Sequence, residues 1–170
     1  AGDDHLFVVG RFAGEVAPSL EPTTDRGAAE AVIGGLQLSR QTRLYDGVLA
    51  GVAMAGTEGQ RSLLVLSDGA DTSTTELGSV TAAISEAEVL VDGVALAKDN
   101  DAGQALEALA GAGAGQVLEA TPGALSAAFA AEADTLARQV LVTATVPDTV
   151  TATEATVEVT LSTATGPLTA

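Results

Sequence analysis

The chain has 170 residues, a formal net charge of −16 and no cysteine, a length typical of one domain with a core that needs no disulfides. Its 23 acidic residues against 7 basic ones argue against nucleic-acid binding, because such a surface repels a phosphate backbone. The absence of cysteine excludes zinc–thiolate sites and thiol catalysis, and no apolar run reaches the roughly 18 residues expected of a membrane span.

A β-hairpin is predicted near the start of the chain. Residues 6–12 (Leu-Phe-Val-Val-Gly-Arg-Phe) form a β-branched and aromatic run that is typical of a strand. Gly14 then turns the chain, and a weak alternation over Glu15–Leu20 predicts an antiparallel partner. We expect this second strand to end at Pro18 and Pro22, because proline cannot donate to a strand ladder.

After the hairpin, predicted helices alternate with continuously apolar strands of the kind covered on both faces. Helix-capping signals are Thr24 or Asp25, the capping box Ser73–Glu76, and Thr121 followed by Pro122. The predicted helices cover 26–36, 44–54, 73–86, a short segment from 101, and 122–136; the predicted strands cover 63–66, 89–97 with a break at 92–93, and 116–120. This alternation indicates an α/β fold, a doubly wound and mainly parallel sheet flanked by helices.

The character of the sequence changes at Gln139. Residues 140–146 and 156–161 alternate with threonine, show no helical pattern and are separated by Pro147 and Asp148. We therefore expect an α/β domain over residues 1–138 and the start of a β-rich region over residues 139–170.

Two polar loops fall where ligands bind in an open parallel sheet, beyond the carboxyl ends of the strands. One places Thr42 just before a helix, and the other places Asp68 directly after the strand 63–66. Hydroxyl and carboxylate oxygens suit Mg²⁺, which keeps several waters and takes one or two carboxylates. Each residue also has a structural interpretation: Thr42 as a helix N-cap, and Asp68 as the cap of a turn.

Three stretches, FVVGRFAGEVAPSLEPTTDR, TRLYDGVLAGV and RSLLVLSDGADT, resemble the von Willebrand factor A domain, and the resemblance extends to about Arg138. In that family a metal-ion-dependent adhesion site combines a first-strand Asp-x-Ser-x-Ser motif, a threonine before a helix, and an Asp-Gly after the fourth strand. Thr42 matches the second element and Asp68 the third. The resemblance implies an adhesion-like, protein-binding module in which these residues hold Mg²⁺ or another divalent cation and an acidic side chain of the partner completes the site.

The first element of that family pattern is absent, because the sequence contains no Asp-x-Ser-x-Ser. In the family the first strand is the centre of the sheet, so its two neighbours would here lack a ladder partner. Unpaired buried backbone groups are costly. We therefore expect that residues 1–138 are a fragment of this domain, incomplete at the N-terminus, or that the missing strand comes from another segment or another chain. In either case the metal site is expected to be incomplete within these residues.

Two other functions stay open. The Ala/Gly-rich composition and the threonine-rich tail resemble a bacterial subgroup with a following membrane segment and a type II secretion F-type domain of tight-adherence pilus systems. This resemblance implies an extracytoplasmic, membrane-anchored protein and allows a metal-independent scaffold for secretion or pilus assembly. We do not expect an enzyme, because no nucleophile accompanies a base and His5 is the only histidine.

Overall fold

The protein is described by a computed structural model that covers residues 6–36, 41–68, 70–96, 100–121, 123–137, 160–163 and 166–169. It divides into two compact units, Ala1–Gln139 and Val140–Ala170. The first unit contains β1 (Phe7–Phe12), β2 (Val16–Thr23), α1 (Arg26–Gly34), α2 (Leu44–Met54), β3 (Ser62–Ser67), α3 (Leu77–Ala87), β4 (Leu90–Ala95), α4 (Asn100–Ala112), β5 (Val117–Glu119) and α5 (Leu125–Ala137). The second unit contains β6 (Thr160–Thr163) and β7 (Gly166–Thr169), an antiparallel pair.

The strands of the first unit form two sheets. β1 and β2 make an antiparallel hairpin, whereas β3, β4 and β5 make a parallel sheet in that order. β3 and β4 pair without a register shift from Ser62↔Leu90 to Ser67↔Ala95. Helices connect the parallel strands, which confirms the predicted doubly wound α/β fold. None of the helices in the described ranges is long and apolar enough to cross a membrane.

One face of the parallel sheet packs against α2, α3 and α4. The side chains buried there are almost all aliphatic, as a sequence with 2% aromatic residues requires. They include Leu44, Val48, Val65, Val80, Ile84, Val91, Leu106 and Leu109. Burial of such side chains contributes roughly 1.5–3 kcal/mol each, so this layer is the main source of stability and fixes the start of α2 near the ends of the strands.

Two glycines allow α2 to lie against both sheets. A Cβ atom at Gly47 would lie 2.5 Å from Cβ of Phe12 in β1. One helical turn later, a Cβ atom at Gly51 would lie 2.9 Å from Cδ1 of Leu63 in β3. Larger residues at these positions would push α2 off one strand or the other.

Two predictions about strands were wrong. β2 continues through Pro18 and Pro22 to Thr23, because its only partner among the described residues is β1 and an edge strand tolerates missing N–H groups. β4 is not broken at Asp92 and Gly93. The Asp92 carboxylate accepts a hydrogen bond from Gln116 N–H at 2.9 Å, which satisfies a polar side chain that would otherwise interrupt a buried strand.

Three helix predictions also need correction. α3 begins at Leu77 with Glu76 as its N-cap and no side-chain capping bond, so the predicted capping box is not formed. α4 is not short, since it spans Asn100–Ala112. α5 begins at Leu125 rather than next to Thr121, whose carbonyl instead accepts a turn hydrogen bond from Ala124 N–H at 2.9 Å. The predicted strand over residues 140–146 lies outside the described residues.

Candidate functional site at the ends of the parallel strands

Hydrogen bonds connect the loop that follows β3 to Thr42, which lies just before α2. Thr72 N–H donates to the Thr42 carbonyl at 2.8 Å. The Thr72 hydroxyl accepts from Thr42 N–H at 3.2 Å and donates to the Thr42 carbonyl at 3.1 Å. The two loops predicted to carry the site therefore meet at the carboxyl end of β3.

The N-terminus of α2 is capped from this second loop. Its own N-cap residue, Arg43, makes no side-chain capping bond. Asp71 supplies one instead, because its Oδ1 accepts from Tyr45 N–H at 3.0 Å. Its Oδ2 accepts from Ser73 N–H at 3.0 Å and from the Ser73 hydroxyl at 2.6 Å. A carboxylate at this end of a helix is stabilised by the helix dipole, so the interpretation of Thr42 as the N-cap is wrong.

A second carboxylate, Asp46, ties the same loop to the first turn of α2. Its Oδ1 accepts a hydrogen bond from the Thr75 hydroxyl, and its Oδ2 accepts one from Arg43 Nε at 2.7 Å. The Thr75 hydrogen bond lowers the pKa of Asp46; partial burial opposes this effect, and Arg43 adds to it. The Asp46 side chain is 18% exposed, so it is largely enclosed by its partners.

The pKa of the neighbouring Tyr45 hydroxyl depends on this arrangement. Burial raises the pKa of the Tyr45 hydroxyl, and the negative charge of Asp71 raises it further. Both effects disfavour the phenolate. Because Tyr45 is the only tyrosine in the chain, its titration can be followed without interference.

Thr42 and Asp68 lie at this edge of the sheet, on the two loops that meet. Thr42 is half-buried and Asp68 is exposed, directly after the last residue of β3. Within the described ranges, no three His, Cys, Asp or Glu side chains group as a metal site. The two residues offer oxygen donors of the kind that Mg²⁺ takes, and an ion bound by them would keep open positions for water and a partner. Their role as ligands stays a prediction.

A shallow polar depression adjoins the two loops. It has a volume of about 220 Å³. Its lining consists of hydroxyl, amide, guanidinium and backbone groups from Gly14, Gln41, Arg43, Thr72, Ser73 and Thr74. The Arg43 side chain is 43% exposed at the rim, and its guanidinium is paired with the Asp46 carboxylate. Such a lining suits a polar or acidic side chain better than an apolar ligand.

Solved structures show what this arrangement of helices and strands resembles. BatB, a conserved hypothetical protein from Bacteroides thetaiotaomicron, superposes with a TM-score of 0.60 over 81% of this chain and 82% of BatB at 16% identity. An aerotolerance-related membrane protein from Bacteroides fragilis NCTC 9343 superposes with a TM-score of 0.60 at 12% identity. The match covers 79% of this chain and 81% of that protein. The VWA domain of SpRpn10 superposes with a TM-score of 0.54 at 10% identity. The fold is that of a von Willebrand factor A domain.

These likenesses establish the von Willebrand factor A fold and confirm the resemblance seen in the sequence. The chain matches over 69% of its own length and spans 65% of the SpRpn10 domain. No protein-family model and no curated protein matches the sequence. The narrower resemblance to secretion and pilus-assembly proteins stays a prediction.

Sequence reasoning missed the residues that hold this edge of the von Willebrand factor A fold together. Asp71, Ser73 and Thr75 alternate along one loop, and the sequence pattern that marks them is Asp-Thr-Ser-Thr-Thr. Part of this run was interpreted as a local capping box. Its partners, Tyr45 and Asp46, lie 26 and 29 residues away from Asp71 and Thr75 in the sequence, so only the fold brings them into contact.

Proposed function

We propose that the chain is a non-enzymatic protein-binding module that holds an acidic side chain of its partner at the edge formed by Thr42 and Asp68. The observation that carries this proposal is the hydrogen-bonded junction between the loop 70–75 and the start of α2. A junction of this kind fixes the surface before a partner arrives, so little conformational entropy is lost on binding. The polar depression beside it offers space for a side chain.

The proposal includes a divalent cation, Mg²⁺ in the first instance, with Thr42 and Asp68 as its protein ligands. A bound cation would supply the positive charge that an acidic partner needs on a molecule of formal net charge −16. Thr42 offers a hydroxyl oxygen and Asp68 an exposed carboxylate, and both lie on loops fixed by Thr72. The partner carboxylate would then replace a water in the coordination shell.

Calorimetric titration of Mg²⁺ into the whole chain tests the metal part of this proposal. Asp68→Asn should weaken Mg²⁺ binding, whereas Asp25→Asn should leave it unchanged. Both variants remove one negative charge, and asparagine can keep the capping bond that Asp25 makes to Ala28 N–H at 3.1 Å. If the two variants bind Mg²⁺ equally well, the ion is attracted only by the overall negative charge of the protein, and Asp68 is not its ligand.

A second candidate is a metal-independent scaffold for a membrane-associated assembly. The hydroxyls of Thr72, Ser73 and Thr75 already donate to oxygen atoms of the protein, so these loops are held in place without an ion. The likeness in fold to a bacterial membrane protein favours a location at a membrane. Unchanged thermal stability and unchanged partner affinity in Mg²⁺ and in EDTA would favour this candidate over the first.

A further inference from the structure

The guanidinium of Arg43 is engaged by the protein along one edge only. Its Nε donates to Asp46 Oδ2 at 2.7 Å, and its Nη2 lies 2.5 Å from the same oxygen. A guanidinium carries five N–H donors, one on Nε and two on each Nη. Arg43 has no further hydrogen bond or ion pair to the described residues, so the donors of Nη1 and the second donor of Nη2 have no protein acceptor there.

These remaining donors are open to solvent. The Arg43 side chain is 43% exposed, and the buried side-chain atoms that lack a partner in the described part of the chain do not include any atom of Arg43. Water satisfies such donors in the absence of a ligand, and a ligand that offers acceptors of the same geometry can replace that water.

Asp46 holds the guanidinium in place before a ligand binds. It lies in the first turn of α2, and its other carboxylate oxygen accepts a hydrogen bond from the Thr75 hydroxyl. The orientation of the Arg43 side chain is therefore fixed from its Nε edge, while the opposite edge is available. A side chain that is already ordered loses less conformational entropy when it binds.

The surroundings of Arg43 favour an anionic group. Arg43 lines the polar depression of about 220 Å³ together with Thr74. None of the described residues that line this depression is acidic, although the formal net charge of the chain is −16. Thr74 is exposed, and its hydroxyl offers a further donor beside the guanidinium.

We propose that Arg43 recognises the acidic side chain of the partner through the guanidinium edge that Asp46 leaves available. A planar carboxylate accepts two parallel hydrogen bonds from such an edge. This inference rests on the proposed function for the class of partner, and it adds the residue that selects a carboxylate. Arg43 directly follows Thr42 in the chain, and a carboxylate has about four lone-pair sites, so Arg43 and Mg²⁺ can share one carboxylate.

NMR titration of the whole chain with the peptide Gly-Ala-Glu-Ala-Gly in Mg²⁺ tests the inference. Arg43→Gln should weaken binding about tenfold. Arg43→Lys should weaken it nearly as much, because lysine keeps the charge and can pair with Asp46 but cannot present two parallel donors. The control Arg11→Gln removes the same charge from an exposed residue that does not line the depression, and it should change the affinity by less than about twofold.

Two further measurements separate recognition by Arg43 from a general structural effect. The side-chain N–H signals of Arg43 should shift with the Glu peptide and not with Gly-Ala-Gln-Ala-Gly, because only the first carries a carboxylate. Calorimetric titration of Mg²⁺ without peptide should give the same affinity for Arg43→Lys as for the unchanged protein, since Arg43 is not a ligand of the ion.

The outcomes distinguish this inference from the proposed function. If Arg43→Lys binds the Glu peptide as tightly as the unchanged protein, or if Arg11→Gln weakens binding as much as Arg43→Gln, the role of Arg43 is overturned and the Mg²⁺ site stands. If Arg43→Lys weakens peptide binding and Asp68→Asn does not, the role of Arg43 is supported and the Mg²⁺ site is overturned. Failure of the unchanged protein to bind the Glu peptide would overturn both.

Discussion

Replacing Asp71 should destabilise the protein through the junction between two loops rather than through the core. Asp71→Ala removes the capping bond to Tyr45 N–H and both bonds from Ser73. Loss of a helix cap costs about 1 kcal/mol, and each lost hydrogen bond costs about 1 kcal/mol more. We expect a decrease of about 2–3 kcal/mol in the free energy of unfolding, since the three losses are not fully additive. Asp71→Asn should cost about half as much, because it keeps an acceptor for Tyr45 N–H.

The same substitutions should change the titration of Tyr45. Burial is the larger cause of its raised pKa and the charge of Asp71 the smaller one. Asp71→Asn removes that charge, so the pKa should fall part of the way toward 10.0 while burial keeps it above that value. Near-ultraviolet absorbance measures the change directly, because the chain has one tyrosine and no tryptophan.

Urea denaturation followed by circular dichroism gives the stability change, with Asp25→Ala as the control. Asp25 caps its own helix, α1, with one bond to Ala28 N–H, so its loss should cost about 1 kcal/mol or less. The reasoning is refuted if Asp71→Ala costs no more than Asp25→Ala. It is also refuted if Asp71→Asn leaves the Tyr45 pKa unchanged.

Two further predictions concern the contacts of α2. Thr75→Val should cost about 1–2 kcal/mol at neutral pH and raise the pKa of Asp46, which NMR can follow. Because the pKa of Asp46 is lowered in the folded state, ionised Asp46 stabilises the fold above pH 3.8, and this stabilisation is lost as the pH falls through the lowered pKa. The free energy of unfolding of the variant should therefore decrease less in acid than that of the unchanged protein. Gly47→Ala should destabilise by about 1–3 kcal/mol through its clash with Phe12. The control Gly103→Ala has nothing within 4 Å of the new Cβ, so it should be neutral or stabilising by up to about 1 kcal/mol. If the two glycine substitutions shift the urea midpoint equally, the packing of α2 described above is contradicted.

The sequence predicted those elements whose signal is local. The limits of α2 agree with the predicted 44–54 because its apolar stripe, Leu44, Val48 and Val52, is also its buried face. β3 was evident from four consecutive aliphatic residues. The incomplete burial of Leu64 and Leu66 could not be predicted, because burial of a strand depends on the neighbours that the fold supplies.

The polar junction could not be predicted for the same reason. Ser73 has the spacing of a capping residue with Glu76, but its hydroxyl bonds to Asp71, because the approach of α2 fixes the Asp71 carboxylate nearby. Local capping and long-range pairing compete for the same hydroxyl, and sequence spacing shows only the first. Thr42 was assigned to the correct loop, although the cap of that helix comes from a residue that lies far away in the sequence.

The most direct test of the proposed function is NMR mapping of an acidic peptide, Gly-Ala-Glu-Ala-Gly, on the whole chain with and without Mg²⁺. Binding at the proposed edge predicts shifts at the amides of Thr42, Asp68 and Thr72 that require Mg²⁺ and disappear in Asp68→Asn. Shifts that are independent of Mg²⁺ and of Asp68, or that map to residues away from the ends of the parallel strands, would contradict it.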